Sequence, residues 1–154
     1  MIRELTAADL PELKTLIEAT DLFPSSMLDA MVNHFLGDNE AQELWLVLVN
    51  PHPVGVAYVA PEKLTDGTFN LLLIAIHPEQ QAMGFGAQLI SEVEKRLRGL
   101  GARILLVETS GLAAFELTRH FYLKNGYELE GRIRDFYQDG DDKVIFRKKL
   151  TVTG

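Results

Sequence analysis

Residues 74–86, Ile74-Ala75-Ile76-His77-Pro78-Glu79-Gln80-Gln81-Ala82-Met83-Gly84-Phe85-Gly86, decide how this chain is read. They close an apolar run, residues 71–76, that lacks alternation, which predicts a strand covered on both faces. Pro78 has no N–H to give to a ladder and ends that strand. Beyond the glycines, Phe85, Leu89, Val93 and Leu97 recur at helical spacing, with Glu92, Glu94, Lys95, Arg96 and Arg98 between them. That pattern predicts an amphipathic helix. Gly84 and Gly86 therefore stand in a loop that opens a helix. Such a loop aims unpaired backbone N–H groups at one point and adds the positive end of the helix dipole, an arrangement suited to a phosphate or diphosphate. Glycine there lets the backbone approach a ligand with no Cβ in the way. Turn geometry alone also calls for glycines, and these residues by themselves leave that alternative open.

Gln81-Ala82-Met83-Gly84-Phe85-Gly86 resembles the Q/R-x-x-G-x-G/A motif of the GNAT acyltransferase superfamily, and residues 74–78 resemble that family's fourth strand and its exit. No G-K-[ST] follows, so this is not a Walker loop, and Leu89 stands where a Rossmann fingerprint needs its third glycine. Phe121-Tyr122-Leu123-Lys124-Asn125-Gly126-Tyr127 resembles the family's second signature, a helix tyrosine followed by a G-F or G-Y step. The resemblance implies acetyl-CoA as co-substrate. It implies that the backbone of Gln81, Ala82, Met83, Gly84, Phe85, Gly86 and Ala87 holds the diphosphate. It also implies that a backbone N–H of Ile74 or Ile76 holds the thioester carbonyl, and that Tyr122 faces the thioester sulfur.

The chain has 154 residues, the size of one domain, and 47% of them are hydrophobic. Fifteen Lys and Arg against 22 Asp and Glu give a formal net charge of −7. An acidic surface argues against a nucleic-acid partner and suits a cationic acceptor such as an amine. With no cysteine there is no disulfide, no thiol nucleophile and no cysteine-ligated metal site, and no metal is expected. No apolar run approaches the roughly 20 residues that span a bilayer. Met1-Ile2-Arg3-Glu4 does not read as a signal peptide, so a cytoplasmic protein with no membrane partner is expected.

Along the chain, residues 1–5 read as a strand. Thr6-Ala7-Ala8-Asp9 has capping-box spacing, and Leu10, Leu13, Leu16 and Ile17 follow on one helical face. Asp21-Leu22-Phe23-Pro24 breaks that helix. A second is expected from Ser26-Met27-Leu28-Asp29 to Gly37, with Met31, Val32, Phe35 and Leu36 inward and His34 at the surface. Residues 43–49 and 54–60 form a hairpin across Asn50-Pro51-His52-Pro53. After the 71–76 strand and its helix, Gly99 or Gly101 is the expected left-handed stop. Residues 102–107 read as a strand parallel to 71–76, because a helix connects them. A helix over 115–125 stops at Gly126. Residues 127–137 and 143–150 form a closing hairpin around Gln138-Asp139-Gly140-Asp141-Asp142. The predicted fold class is α/β: a single domain with a mixed sheet of about seven strands flanked by about four helices, an order that matches GNAT proteins over nearly the whole chain.

Two side chains are the candidates for chemistry. The Tyr122 phenol can protonate a departing CoA thiolate, where a plain core tyrosine is the bland reading. An amine acceptor must lose a proton before it attacks, and Glu108, at the end of the strand beside the glycine-loop strand, is the candidate base, where a solvated strand-end acid is the alternative. The family often places an acid in the strand before the glycine loop, and residues 71–76 supply none. His77, beside Pro78, reads as a surface residue. Asp139, Asp141 and Asp142 read as a solvated hairpin tip, or as a lure for a cationic acceptor, or as part of a homodimer contact. The leading functional reading is an N-acetyltransferase acting on a small-molecule or peptide amine by direct attack in a ternary complex. The alternatives are a non-catalytic acyl-CoA-binding or sensing module and a nucleotide-binding domain.

Overall fold

The computed structural model describes residues 1–37 and 42–150. Seven strands are hydrogen-bonded in the order β1-β2-β3-β4-β5-β7-β6, and four α-helices accompany them. By contact the chain divides into two compact units, Met1–Pro61 with Leu72–Arg96, and Glu62–Leu71 with Leu97–Gly154.

In the first unit, β1 (Ile2–Glu4) leads to the predicted cap. The Thr6 N–H donates to Asp9 Oδ2 at 2.8 Å, while Arg3 donates to both Asp9 oxygens at 2.7 Å. That paired guanidinium, helped by the Thr6 bonds and opposed by burial, holds the Asp9 carboxyl down to about 2. α1 (Leu10–Thr20) then buries Leu13, Leu16 and Ile17. It ends at Asp21, which takes the left-handed conformation usually left to glycine (φ 53°). α2 (Leu28–Gly37) follows a 3-10 turn at Ser25–Met27 and buries Leu28 and Val32. Leu36, expected inward, is exposed. β2 (Leu44–Val49) and β3 (Pro53–Pro61) form the antiparallel hairpin. Pro53 is not confined to the turn but is the first residue of β3, where a missing N–H costs the ladder least. Trp45, Val47 and Val56 pack with Leu13, Leu16, Ile17, Leu28, Val32, Leu73 and Ala75 into one core. Tyr58 stacks on Trp45 at 4.2 Å.

β4 (Thr68–Ile76) corrects one expectation. Leu73 and Ala75 are buried in that core, but Leu72 is 51% exposed and Ile74 and Ile76 are half-buried. The run is apolar throughout, yet its burial alternates with the pleat. α3 (Phe85–Gly99) buries Leu89, Ile90 and Val93 as its stripe predicts.

In the second unit, Gly101 (φ 82°) is the helix stop: its N–H donates to Arg98 O, and the Ala102 N–H donates to Leu97 O. Those two bonds make a Schellman motif. β5 (Ile104–Ser110) is parallel to β4 as expected, but the register runs from Thr68↔Ile104 to Leu71↔Val107, so the pairing lies ahead of the apolar run. α4 (Glu116–Lys124) ends before Gly126 (φ 91°). β6 (Glu128–Gln138) and β7 (Asp141–Lys149) close the fold around Asp139-Gly140, a tighter turn than the five residues expected. Leu105, Val107, Val144 and Phe146 are its buried centre.

Candidate functional site

The glycine loop lies in the first unit. At the end of β4 the His77 N–H donates to Val54 O (2.8 Å), and Pro78–Gln80 form a 3-10 turn. The Gln81 amide turns back and donates to Ile76 O at 3.0 Å, tying the motif's first residue to the strand end. Ala82 (φ 65°) and Gly84 (φ 80°) are both left-handed. A Cβ on Gly84 would meet nothing within 4 Å, so the backbone angle, not lack of space, is what calls for glycine there. Ala82 adopts the same region with a side chain, at a cost of about 1 kcal/mol, and strain of this kind collects at ligand-binding loops. The first helical bond runs from the Gln88 N–H to Gly84 O at 3.1 Å. The N–H groups of Phe85, Gly86 and Ala87 precede it, in the position of the unsatisfied donors that open every helix. With no acid in the first turn of α3, nothing there competes with an anion. This donor set fits a diphosphate.

Beside it, in the same unit, a cavity of about 260 Å³ is lined by Glu12, Thr15, His52, Val54, His77 and Glu79, among others. His77 Nδ1 accepts from the Glu79 N–H at 3.2 Å, so the histidine read as a surface residue caps its own turn. Glu43 links His34, at 2.8 Å, to the Tyr58 hydroxyl.

The second unit holds Tyr122 and Glu108. Tyr122 is 4% exposed and packs against the rings of Phe121, Tyr127 and Phe146 at 5.4, 5.9 and 5.7 Å. Its hydroxyl makes no hydrogen bond among the described residues, and it is not one of the sealed, unpartnered polar atoms, which are Trp45 Nε1 and Asn70 Oδ1. The residue as a whole is core. Burial pushes the phenol up from its ordinary value, so it stays protonated across the physiological range.

Glu108 is not a solvated strand end, since β5 continues through Ser110. Its Oε1 accepts from Asn70 Nδ2 at 3.0 Å, and its Oε2 lies 3.1 Å from Lys143 Nζ. The same Asn70 amide donates to Glu62 at 3.0 Å, so one buried asparagine holds two carboxylates. Lys143 Nζ also sits 3.5 Å from the centre of the Phe136 ring. Sequence reading missed Glu62, Asn70 and Lys143. The available signal was Asn70 itself, a lone amide inside Phe69-Asn70-Leu71-Leu72. Pleat alternation puts Glu108 on the face of β5 opposite Val107, and Val107 pairs with Phe146, on which Tyr122 packs. Glu108 and Tyr122 therefore lie on opposite faces of β5. The acidic turn is solvated only in part: Asp139 is exposed, while Asp141 accepts from the Ser110 hydroxyl, and Asp142 binds Arg132 at 2.6 Å and accepts from the Asp135 N–H at 2.9 Å.

A family model described as the acetyltransferase (GNAT) domain matches residues 40–129, more than half of the chain and the part that carries the glycine loop, Glu108 and Tyr122. The chain belongs to the GNAT acetyltransferase family. It is an acyl-CoA-dependent N-acetyltransferase. Among solved structures, a GNAT-family protein from Desulfovibrio desulfuricans superimposes with a TM-score of 0.90 at 29% identity, covering 98% of this chain and 99% of that one. The ribosomal-protein-S18-alanine N-acetyltransferase of Escherichia coli shares the fold at a TM-score of 0.77 and 19% identity, with 100% and 96% covered. An aminoglycoside 6'-N-acetyltransferase complexed with coenzyme A shares it at 0.72 and 15%, with 100% and 99% covered. No curated protein matches in sequence. Among the described residues of this GNAT acetyltransferase, no group of three or more His, Asp or Glu is arranged to hold a metal ion, and no helix is long and apolar enough to cross a membrane.

Proposed function

We propose that this acetyltransferase moves the acetyl group of acetyl-CoA to the amine of a small molecule or peptide in the cytoplasm, by direct attack within a ternary complex. The observation that carries the cofactor assignment is the glycine loop: left-handed Gly84 turns the chain into α3, and the backbone N–H groups of Phe85, Gly86 and Ala87 come before the first helical bond. Bound acetyl-CoA supplies an electrophilic thioester carbon. Backbone from Gln81 to Ala87 holds the diphosphate, and an N–H of Ile74 or Ile76 holds the carbonyl oxygen as charge develops on it. Glu108 takes the proton that the amine must lose as the N–C bond forms. Asn70 orients its carboxylate, each oxygen of which keeps a lone pair beyond its present partner. As the C–S bond breaks, the Tyr122 hydroxyl gives its proton to the sulfur. A base and an acid on opposite faces suit an amine arriving from one side and a thiol leaving from the other.

The test is thiol release from acetyl-CoA with polyamines, amino acids, aminoglycosides and peptides as acceptors, repeated with Glu108→Gln. Acceleration by at least one amine, reduced in Glu108→Gln with acetyl-CoA affinity intact, is expected. Tight CoA binding with no amine-dependent release would make the chain a non-catalytic acyl-CoA-binding module.

A further inference from the structure

Granted the glycine loop as the diphosphate site, we propose that His77 is a positioning residue for that loop, and that a proton on its imidazole weakens acetyl-CoA binding. The chain leaves β4 at Ile76 and has to set the loop's backbone donors in place before α3 begins. Packing does little of this, because no side chain from His77 to Gly84 is buried. Hydrogen bonds fix the path instead. The His77 N–H donates to Val54 O at 2.8 Å, the Gln80 N–H to His77 O at 2.8 Å, and the Gln81 amide to Ile76 O at 3.0 Å. A further tie runs from the Glu79 N–H to His77 Nδ1 at 3.2 Å. The path they hold includes left-handed Ala82, a conformation that local preference opposes.

His77 enters the Pro78–Gln80 turn with φ −53° and ψ 135°, the extended backbone that a residue before proline takes. Pro78 has no N–H, so the Glu79 N–H is the first donor of the turn that needs an acceptor. Asn, Asp and Ser usually fill that place, and here an imidazole does. An amide or hydroxyl oxygen accepts at any ordinary pH. Nδ1 accepts only while the ring is neutral, with its proton on Nε2. A proton on Nδ1 sets N–H against N–H, and the cap is lost. Histidine is the side chain whose charge changes between about pH 5 and 8. The other three ties end on backbone carbonyls, which do not titrate.

The ionisable side chains that line the cavity with His77 are Glu12 on α1, His52 ahead of β3 and Glu79 on its own turn. His52 Nδ1 lies 3.7 Å from Glu12 Oε2, and both side chains are exposed. A charged His77 would also attract a diphosphate, which has the opposite sign. That attraction is screened by salt, whereas the cap is a direct contact within the segment that carries the loop, so loss of the cap decides the outcome.

Calorimetry of CoA binding to the wild type, His77→Ala and His77→Asn, from about pH 8 down to about pH 5, tests this. At the upper end His77→Ala should bind CoA about three- to tenfold more weakly than wild type. His77→Asn, whose amide oxygen keeps the cap at every pH, should recover most of that loss. With acetyl-CoA as the varied substrate, His77→Ala should raise KM by the same factor and leave kcat within about twofold. The ligand's own phosphate titrates at about 6 for every variant alike, so the readout is the wild-type Kd divided by that of His77→Asn. That ratio should rise by about threefold or more toward the acid end. His52→Asn removes the other imidazole of the cavity and should follow the wild type. A ratio that stays flat, or falls in acid, overturns the proposal. So does a pH dependence that disappears in His52→Asn, or a His77→Ala that binds CoA like wild type while Gly84→Asp has lost affinity. If Gly84→Asp also binds CoA normally, the diphosphate site and this proposal fall together.

Discussion

Tyr122→Phe separates the acid from the core residue. The ring is held by three aromatic neighbours at 5.4 to 5.9 Å, and phenylalanine keeps all of those contacts. The hydroxyl has no hydrogen-bond partner among the described residues, so its loss forfeits none of the roughly 1 kcal/mol that such a bond contributes. The stability change should fall within about 0.5 kcal/mol, which for a chain of this size is roughly 1–2 °C in Tm. Catalysis should respond differently. A positioned acid contributes about 10- to 1000-fold, the range reaching low because water can substitute and a thiolate leaves easily. The expected result is a kcat lowered by that factor with acetyl-CoA affinity unchanged. Truncation to alanine would instead leave a cavity in the aromatic cluster at a cost of about 3–5 kcal/mol, confusing unfolding with chemistry. The assay is steady-state thiol release with a responsive amine, with CoA calorimetry and a melting curve on the same preparation. Full activity in Tyr122→Phe refutes the acid role. A loss of affinity equal to the loss of rate makes Tyr122 a binding residue.

Three further outcomes are expected. Gly84→Asp adds a negative charge beside the proposed diphosphate and a side chain at φ 80°, so CoA affinity should fall tenfold or more, about 1.4 kcal/mol, and unchanged affinity in a folded variant rules the loop out. Asn70→Asp replaces the amide that bonds Glu62 and Glu108 with a third carboxylate. Its Tm should drop at neutral pH and recover as acid protonates the cluster, and a pH-independent Tm difference would contradict the hydrogen bonds assigned to Asn70. Asp9, held by Arg3 at about 2, lies below its ordinary value. Its contribution is therefore full above that ordinary value and fades as pH falls toward 2. Denaturant curves should show Arg3→Ala costing about 1–2 kcal/mol near neutrality, after allowance for solvent screening, with the difference closing in acid. An equal cost at both ends of that range would place the effect in packing instead.

Much of the fold follows from local rules legible in the sequence. Thr6 and Asp9 cap the 3-10 turn that leads into α1 because their spacing matches a capping box, Gly101 and Gly126 stop helices because they take positive φ, and Asp139-Gly140 turns the last hairpin. The glycine loop was legible for the same reason, since the placement of its backbone donors is dictated by a short motif. Local signals were weaker wherever a non-glycine took a glycine's conformation, as Asp21 and Ala82 do.

What the sequence determined by itself is thus the element order, the helix ends and the glycine loop, all set by interactions within a few residues. Only the tertiary structure decided that Glu108 is held by Asn70 and Lys143, residues 38 and 35 positions away along the chain. It also decided that the β4 run has one covered and one open face, that Tyr122 is buried among three aromatic rings, and that Asp141 and Asp142 of the last turn bind Ser110 and Arg132. Those outcomes depend on which strands lie side by side and in what register. Register is a balance of many long-range contacts, and no short stretch of residues encodes it alone.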